Sequence, residues 1–199
     1  MAVREILKMG HPTLRKVAEP VADPTAPEIR DLVADMRDTL EAIDAAGIAA
    51  PQINVGKRVV LYRVPAHRIP AGARQDPVPW TAMINPVITP LTDDQGMIWE
   101  RCLSLPGLYG KVPRFTRVHI TFQTLEGEHV ERTAQGWHAM LLQHECDHLD
   151  GVLYPMRMTD MTLLTYASEL GEGTDFYSYS AGEFDEIGAC RSRRSGPAG

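Results

Sequence analysis

The sequence is poor in cysteine, lacks long apolar runs and has no excess of positive charge, and each shortage excludes a class of function. Its three cysteines are odd in number and widely spaced, a pattern that favours a reducing cytoplasm over a disulfide-bonded secreted protein. No run approaches the roughly 18 apolar residues of a membrane-spanning helix, and the first residues lack the apolar core of a secretion signal. The net charge of −6, from 20 basic and 26 acidic residues, argues against general nucleic-acid binding. We therefore expect a cytoplasmic protein that contacts neither DNA nor a membrane.

The sequence does contain enough apolar residues for one folded domain. Hydrophobic residues make up 44% of the 199 residues, which excludes global disorder. Beyond about residue 170 the chain is rich in Gly and Ser and its periodicity fades. The expected organisation is one domain over residues 1–170 and a C-terminal tail, residues 171–199, that is ordered in part at most.

The spacing of apolar residues predicts two helices and several strands. A first helix is predicted over residues 25–44, capped by Thr25 and Glu28 and stopped near Gly47. A second helix is predicted over residues 134–150. Segments rich in β-branched residues predict strands at 57–65 and 81–90 and a hairpin over 117–134.

The second predicted helix carries the pattern H-E-x-x-H, as His144, Glu145 and His148. Because an α-helix turns by about 100° per residue, His148 lies about 40° round from His144, and Glu145 about 60° from His148. Two histidines in this arrangement can share one metal ion, with the glutamate beside them as a base. Cys146 lies about 160° from His148 and is expected to be a core thiol. Asp147 either orients a ligand or is a solvated carboxylate.

A catalytic metal site needs a third protein ligand and one open position. The longer pattern H-E-x-x-H-x-x-G-x-x-H fails, because Gly151 is present but Tyr154 occupies the final position. A site of the thermolysin kind would use a later glutamate, and Glu169 is available. Upstream, Cys102 offers a thiolate, which is a good ligand for a divalent transition metal. The residues alone leave both choices open.

Three segments together resemble the motifs of the peptide deformylase family. That family's G-x-G-[hydrophobic]-A-A-x-Q, E-G-C-L-S and Q-H-E-x-D-H are matched at residues 45–52, 100–104 and 143–148, in the same order. The resemblance extends over about residues 4–160. It implies an α+β fold in which short, mixed and mostly antiparallel strands surround a central metal-binding helix, with an N-terminal helix packed outside.

The resemblance also implies an activity, the removal of the N-formyl group from the initiator methionine of newly made proteins. The implied metal ligands are Cys102, His144 and His148. They would hold Fe2+ or, as substitutes, Ni2+, Co2+ or Zn2+, and such a donor set suits several of these ions. Glu145 would act as general base and then acid. The side-chain amide of Gln52 and the backbone N–H of Leu103 would stabilise the developing oxyanion.

The substrate side of the site is implied by the same motifs. Gly47 would hydrogen-bond the peptide backbone. Trp137, Met140 and Leu141 lie seven, four and three residues before His144, so they share its face of the helix. The pocket for the methionine side chain is therefore expected to be lined by Ile48, Ile98, Trp137, Met140 and Leu141.

Two positions depart from the family pattern. Ala45 replaces the first glycine of the first motif and would be strained if that position requires a positive φ. Arg101 replaces the glycine of E-G-C-L-S, beside the implied ligand and the bound peptide. There it would narrow the cleft, recruit an acidic group or point to solvent. Two alternatives to a standard deformylase are considered: a non-catalytic or altered-specificity relative, which Arg101 favours, and a gluzincin-like metallopeptidase that uses Glu169.

The predicted tail contains one further signal. Residues 190–195, "CRSRRS", place three arginines near the end of an acidic chain. Such a cluster can bind the phosphates of RNA, so transient contact with the ribosome is an additional expectation.

Overall fold

The computed structural model describes residues 2–69 and 76–171, and it has the predicted α+β architecture. Strand ladders in this part of the chain are antiparallel, and one isolated bridge, between Glu19 and Lys57, is parallel. Apart from Gly171, the predicted tail and its arginine cluster lie outside the described residues.

Two α-helices lie within the described ranges, and neither is long and apolar enough to cross a membrane. The first, α1 (Pro27–Ala42), has Pro27 in its first turn, where the missing N–H costs no hydrogen bond. It packs on the outside of a sheet, as predicted. The apolar stripe that it buries consists of Ile29, Leu32, Val33, Met36 and Leu40.

Both ends of α1 differ from the sequence prediction. The hydroxyl of Thr25 donates to the carboxylate of Asp23 at 2.7 Å, and the residue at the N-cap is Ala26, which makes no side-chain capping bond. The predicted capping box is therefore wrong, because a nearer acceptor competes for Thr25. At the other end, Asp44 reverses the chain with φ 46°, so the helix stops before Gly47 is reached.

Eight strands lie in the described ranges: β1 (Gly47–Ala49), β2 (Val59–Val64), β3 (Val78–Pro90), β4 (Gln95–Cys102), β5 (Leu105–Phe115), β6 (Arg117–Gln123), β7 (His129–Gln135) and β8 (Leu164–Tyr166). They form a five-stranded sheet in the order β1-β2-β3-β6-β7 and a three-stranded sheet in the order β4-β5-β8. The predicted strands and hairpin all belong to the first sheet. Pro86 falls where the register between β3 and β6 shifts, because proline cannot donate to a ladder.

The second helix, α2 (Gly136–Leu149), contacts both sheets and is buried over most of its surface. The face that enters the core of the five-stranded sheet carries Ala139, Leu142, Cys146 and Leu149. Cys146 is thus a core thiol, as predicted. On the side of the three-stranded sheet, Met140 packs against Ile98 of β4. A helix enclosed in this way also buries its polar residues, so each of them needs a partner or a function.

Gly151 ends α2 for a steric reason. Its φ is +72°, and a Cβ at this position would fall 2.7 Å from the backbone carbonyl of Arg15. Only glycine fits both the conformation and the space. This close contact fixes the C-terminal end of α2 against the N-terminal segment. It therefore also fixes the position of the helical turn that carries H-E-x-x-H.

Candidate metal centre

The side chains of Cys102, His144 and His148 meet at one point. Each offers a ligand atom within 4.8 Å of the others, and all three residues are buried. Cys102 is the last residue of β4, whereas the histidines lie one turn apart on α2. The Sγ of Cys102 is 3.4 Å from Nε2 of His148. The cysteine alternative for the third ligand is therefore the one that the fold brings to the histidines.

The chemistry of this donor set fits a divalent transition metal. A thiolate and two imidazoles leave one position open in a tetrahedral site. Burial alone would raise the pKa of Cys102, but the two histidines outweigh it and lower the pKa to about 5. Cys102 is thus ready to bind as a thiolate near neutral pH.

A buried carboxylate orients His144. The Nδ1 of His144 is 2.7 Å from Oε2 of Glu100, and this contact leaves Nε2 to face Cys102. Burial disfavours the imidazolium, but Glu100 and Cys102 outweigh it and raise the pKa of His144. A carboxylate on the far nitrogen of a histidine ligand fixes its tautomer and increases its basicity.

A chain of charges continues from Glu100 to the surface. Arg114 donates to both oxygens of Glu100, at 2.6 and 3.0 Å, and to Asp147 at 2.6 Å. The half-exposed Arg157 donates to the other oxygen of Asp147 at 2.7 Å. Asp147 is buried, so the solvated alternative for it is wrong. Asp147 is linked to His144 indirectly, because Arg114 bridges Asp147 to Glu100 and Glu100 contacts His144.

Glu145 lies beside the three candidate ligands and is 3% exposed. Its Oε2 has no hydrogen-bond partner among the described residues. Burial is the largest cause that raises its pKa, to about 7. A carboxyl group poised in this range can take and return a proton near neutral pH.

Gly47 provides the space for that carboxyl group. A Cβ at Gly47 would fall 2.9 Å from Cδ of Glu145, closer than carbon atoms approach without bonding. The φ of Gly47 is not in the left-handed range, so glycine is required here by space and not by conformation.

The amide of Gln52 is held with its donor side towards Cys102. Its Oε1 accepts a hydrogen bond from the backbone N–H of Ala49 at 2.9 Å. Its Nε2 is 3.5 Å from Sγ of Cys102 and 3.2 Å from Oγ of Ser104. Because Ala49 occupies the acceptor, the amide N–H groups are the ones aimed at the site.

A cleft of about 530 Å³ opens over this group. The expected substrate residues that line it are Gly47, Ile98, Arg101, Trp137, Met140 and Leu141, together with Gln52 and Leu103. Ile98, Met140 and Trp137 also pack against each other as one small apolar cluster. The cleft thus has an apolar compartment beside the candidate ligands.

Three expectations are corrected by the structure. The side chain of Ile48 is fully buried against α1 and does not line the cleft, because alternate residues of a strand face opposite sides. Glu169 is exposed in a 3₁₀ turn and lies outside the metal-ligating group, so the gluzincin alternative is wrong. Ala45 does not adopt a positive φ; the adjacent Asp44 does, so Ala45 is not strained.

Other residues of the site were not identified in the sequence. Arg114 carries no local signal, since one arginine in a strand of eleven residues looks like any exposed cation. Its burial could have been found only from the alternation along β5, in which Gly110, Val112 and Arg114 share the buried face. Lys8 and Tyr109, which line the cleft, were likewise missed.

Comparison with known proteins places these features in a family. A family model described as polypeptide deformylase matches residues 3–163. The chain is 44% identical over 171 residues to peptide deformylase 1 of Nitrosomonas europaea, with 86% of this chain and 96% of that protein covered. It is 48% identical over 161 residues to peptide deformylase 2 of Ralstonia nicotianae, with 80% and 89% covered.

Solved structures give the same result. The peptide deformylase of Ehrlichia chaffeensis in complex with actinonin superposes with a TM-score of 0.74 and 30% identity, over 81% of this chain and 92% of that chain. A class I type b peptide deformylase of Acinetobacter baumannii bound to Met-Ala-Ser gives a TM-score of 0.71 and 33% identity, over 79% and 99%.

Proposed function

Because the chain belongs to the polypeptide deformylase family, we propose that its Cys102–His144–His148 group holds the catalytic metal of a deformylase acting on N-formylmethionyl peptides. The enzyme class follows from the family, and the catalytic domain would span residues 1–170. The observation that carries the assignment of residues is the meeting of three ligand atoms within 4.8 Å beside the buried Glu145.

A divalent ion held by Cys102, His144 and His148 would act as a Lewis acid that lowers the pKa of water, so that a hydroxide nucleophile is available near neutral pH. The protein's part begins with Glu145, whose carboxylate takes the proton of the attacking water and returns it to the amine nitrogen of the leaving methionine. The raised pKa of Glu145, about 7, supports this role, because such a group exchanges a proton readily near neutrality.

The negative charge that develops on the formyl oxygen needs donors that are already in place. Gln52 supplies its Nε2–H group, whose direction is set by the bond from Ala49 to Oε1. Leu103 supplies a backbone N–H immediately after the ligand Cys102. One such donor is worth on the order of 10²–10³ in turnover.

Two edge strands beside the cleft support the proposal that the substrate peptide binds in an extended conformation. Among the described strands, β1 pairs only with β2, and β4 only with β5, yet residues of both β1 and β4 line the cleft. An extended peptide can therefore hydrogen-bond to backbone at Gly47 on one side and to β4 on the other. The methionine side chain would enter the compartment formed by Ile98, Met140 and Trp137.

The first test is formate release from formyl-Met-Ala-Ser by protein purified anaerobically with iron or loaded with nickel. Turnover that is lost in Glu145→Gln, with metal content retained, is the expected result. Absence of turnover despite one bound metal per chain would favour a non-catalytic or altered-specificity relative and would contradict the proposal.

Metal content tests the ligand set directly. Cys102→Ala should empty the site, whereas Glu169→Ala should retain one ion per chain. The family resemblance is the reason for proposing Fe2+ as the natural metal. Ni2+, Co2+ and Zn2+ are proposed as substitutes, because a set of thiolate and imidazole ligands suits several divalent ions. Metal analysis of protein purified without added metal and without oxygen decides among them.

The place of action is proposed to be the cytoplasm, at the ribosome, where formylated chains begin. The three arginines of residues 190–195 would provide a transient contact with ribosomal RNA. Co-sedimentation with ribosomes that is the same with and without residues 190–199 would dispose of this contact.

A further inference from the structure

The two proposed oxyanion donors are carried by different sheets. Gln52 lies in the 3₁₀ turn (Ala50–Ile53) that follows β1 of the five-stranded sheet. The backbone N–H of Leu103 lies in the turn between β4 and β5 of the three-stranded sheet. Among the strands that the structure describes, no ladder joins the two sheets. Other contacts therefore set the spacing between the two donors.

The N-terminal segment contacts both of these turns through its backbone. The N–H of Leu7 donates to the carbonyl of Gln52 at 2.8 Å. The N–H of Met9 donates to the carbonyl of Ser104, in the turn between β4 and β5, also at 2.8 Å. Two residues of one short segment thus connect the two turns that carry the donors.

Lys8 adds a third contact from the same segment. Its Nζ donates to the carbonyl of Leu103 at 3.3 Å. Lys8 is exposed and lines the cleft, so this hydrogen bond competes with water and contributes less than a buried one.

The N-terminal segment is itself held on both sides of residues 7–9. Upstream, the N–H of Arg4 donates to Oγ1 of Thr39 at 2.9 Å, and its Nε donates to Asp35 at 2.8 Å, which attaches it to α1. Downstream, the N–H of Ala18 donates to the carbonyl of Leu149, the last residue of α2, at 2.8 Å. A segment that is attached to both helices can fix the position of the turns that it contacts.

The side chain of Gln52 depends on the position of Ser104. Both residues are buried, and Nε2 of Gln52 is 3.2 Å from Oγ of Ser104. A shift of the turn between β4 and β5 would therefore move the backbone N–H of Leu103 and also remove a contact that orients the amide of Gln52.

We propose that residues 7–9 are positioning residues of the deformylase, and that they set the distance between the amide of Gln52 and the N–H of Leu103. The proposal rests on the deformylase function above. Donors for a developing negative charge are effective when they are in place before the reaction, and a displacement of about 1 Å reduces the rate strongly. Leu7 and Met9 would thus affect turnover although neither is among the described residues that line the cleft.

Met9 allows one of these hydrogen bonds to be removed with little other change. The N–H of His11 donates to the carbonyl of Lys8 at 3.0 Å, and Gly10 has φ +107°. Met9 and Gly10 are therefore the central residues of a turn of the type II kind, in which proline is common at the first central position. The side chain of Met9 is 52% exposed, so Met9→Pro is expected to fold and to lose chiefly the N–H that bonds to Ser104.

Met9→Ala keeps this N–H and is the matched reference. Relative to metal-loaded Met9→Ala, Met9→Pro should lower kcat for formyl-Met-Ala-Ser by roughly 10-fold, the upper range of what one hydrogen bond contributes. KM and metal content should be the same in both variants, because the metal ligands and the strand edges beside the cleft are untouched. A merely structural role would lower the unfolding temperature of Met9→Pro and leave the two kcat values equal, which would overturn the proposal.

Lys8 provides a second pair of variants that does not depend on proline. Lys8→Met removes Nζ, and because the contact is exposed, kcat should fall by only about two-fold. Lys8→Arg keeps a cationic donor and should restore the rate. Equal kcat in Lys8→Met and Lys8→Arg would contradict the part assigned to Lys8.

Binding of a tetrahedral analogue separates this inference from the proposed function. A methionyl peptide in which a hydrogen-phosphonate replaces the formamide presents a tetrahedral anion to the two donors, whereas Met-Ala-Ser does not. Weaker binding of the analogue by Met9→Pro than by Met9→Ala, with equal binding of Met-Ala-Ser, would support the positioning role even if no peptide released formate, and that lack of release would contradict the reaction. Formate release with equal kcat and equal analogue binding in the two variants would support the reaction and contradict the positioning role.

Discussion

Gly47 and Glu145 lie so close together that no side chain fits between the backbone of one and the carboxyl group of the other. A Cβ on Gly47 would be 2.9 Å from Cδ of Glu145. The lack of a side chain at Gly47 of β1 thus leaves room for the proposed base. A larger residue at this position would displace Glu145.

Gly47→Ala is therefore expected to displace the carboxyl group of Glu145 and to reduce kcat by on the order of 10²-fold, as misplacement of a reacting group by about 1 Å does. Metal content should stay at one ion per chain, because no ligand is touched. Gly56→Ala is the matched control, since a Cβ there meets nothing within 4 Å. Equal activity of the two variants would show that the contact has no catalytic role.

Gln52→Glu tests the hydrogen-bond donor of the Gln52 side chain separately from its acceptor. The variant keeps an oxygen for the N–H of Ala49 but loses the amide donor aimed at the site. A loss of roughly 10²–10³ in kcat is expected, with a smaller change in KM. Thermal unfolding of the metal-loaded proteins is the control for folding. A change confined to KM would argue for a role in peptide binding only.

Arg114 and Arg157 donate to the same carboxylate, that of Asp147, but from different depths. Arg114→Gln leaves the buried Glu100 without an arginine and leaves Asp147 with Arg157 alone, so it should cost about 3–5 kcal/mol in the free energy of unfolding. Arg157 is half-exposed, so Arg157→Gln should lower the free energy of unfolding by only about 0–1 kcal/mol. Urea unfolding of both metal-loaded variants measures the difference.

Metal affinity gives a second measurement on the same pair of variants. Arg114→Gln releases Glu100, which orients His144, so affinity should fall by roughly 10–100-fold. Arg157→Gln should leave it nearly unchanged. Similar losses in both variants would mean that the chain of charges does not transmit orientation to His144.

His138 predicts a pH dependence of stability away from the metal centre. Burial, and then the charge of Arg132, lower its pKa to about 4, and its Nε2 contacts the hydroxyl of Tyr62 at 3.1 Å. Between its ordinary pKa of 6.5 and about 4, the unfolded chain binds a proton that the folded chain does not. The stability from this group is thus complete above pH 6.5 and is lost as the pH falls towards 4.

The loss should reach up to about 3 kcal/mol in the free energy of unfolding. The metal ligands also titrate, so the informative quantity is the difference between the native protein and His138→Gln across this pH range, which removes the shared contribution. Parallel curves for the two proteins would contradict the prediction.

The sequence was informative where chemistry is local. The H-E-x-x-H turn fixes three side chains on one helix face, because helical geometry depends only on spacing. Pro27, in the first turn of α1, and Gly127, at the turn of the predicted hairpin, likewise act through the local backbone. Cys102 was open to an alternative until three motifs were taken together, since a ligand from a distant strand leaves no periodic trace near the histidines.

The features that could not be predicted depend on contacts that only the folded structure determines. The sequence left Asp147 either as a group that orients a ligand or as a solvated carboxylate. It does not reveal that Asp147 is buried and bonded to Arg114. Ile48 was expected to line the pocket with Ile98, although a strand of three residues sends adjacent side chains to opposite faces and only Gly47 faces the cleft. Thr25 had a capping pattern but a closer acceptor in Asp23.

The ligands of the proposed metal come from the end of one sheet and from the helix that fills the other. An ion held by Cys102 and His144 closes a loop of about forty residues, and closing such a loop removes freedom from the unfolded chain. The ion would therefore act as a cross-link between the two halves of the molecule as well as a reagent. The same ion would anchor β4, the edge strand along which the peptide is proposed to bind, to the helix that carries the proposed base.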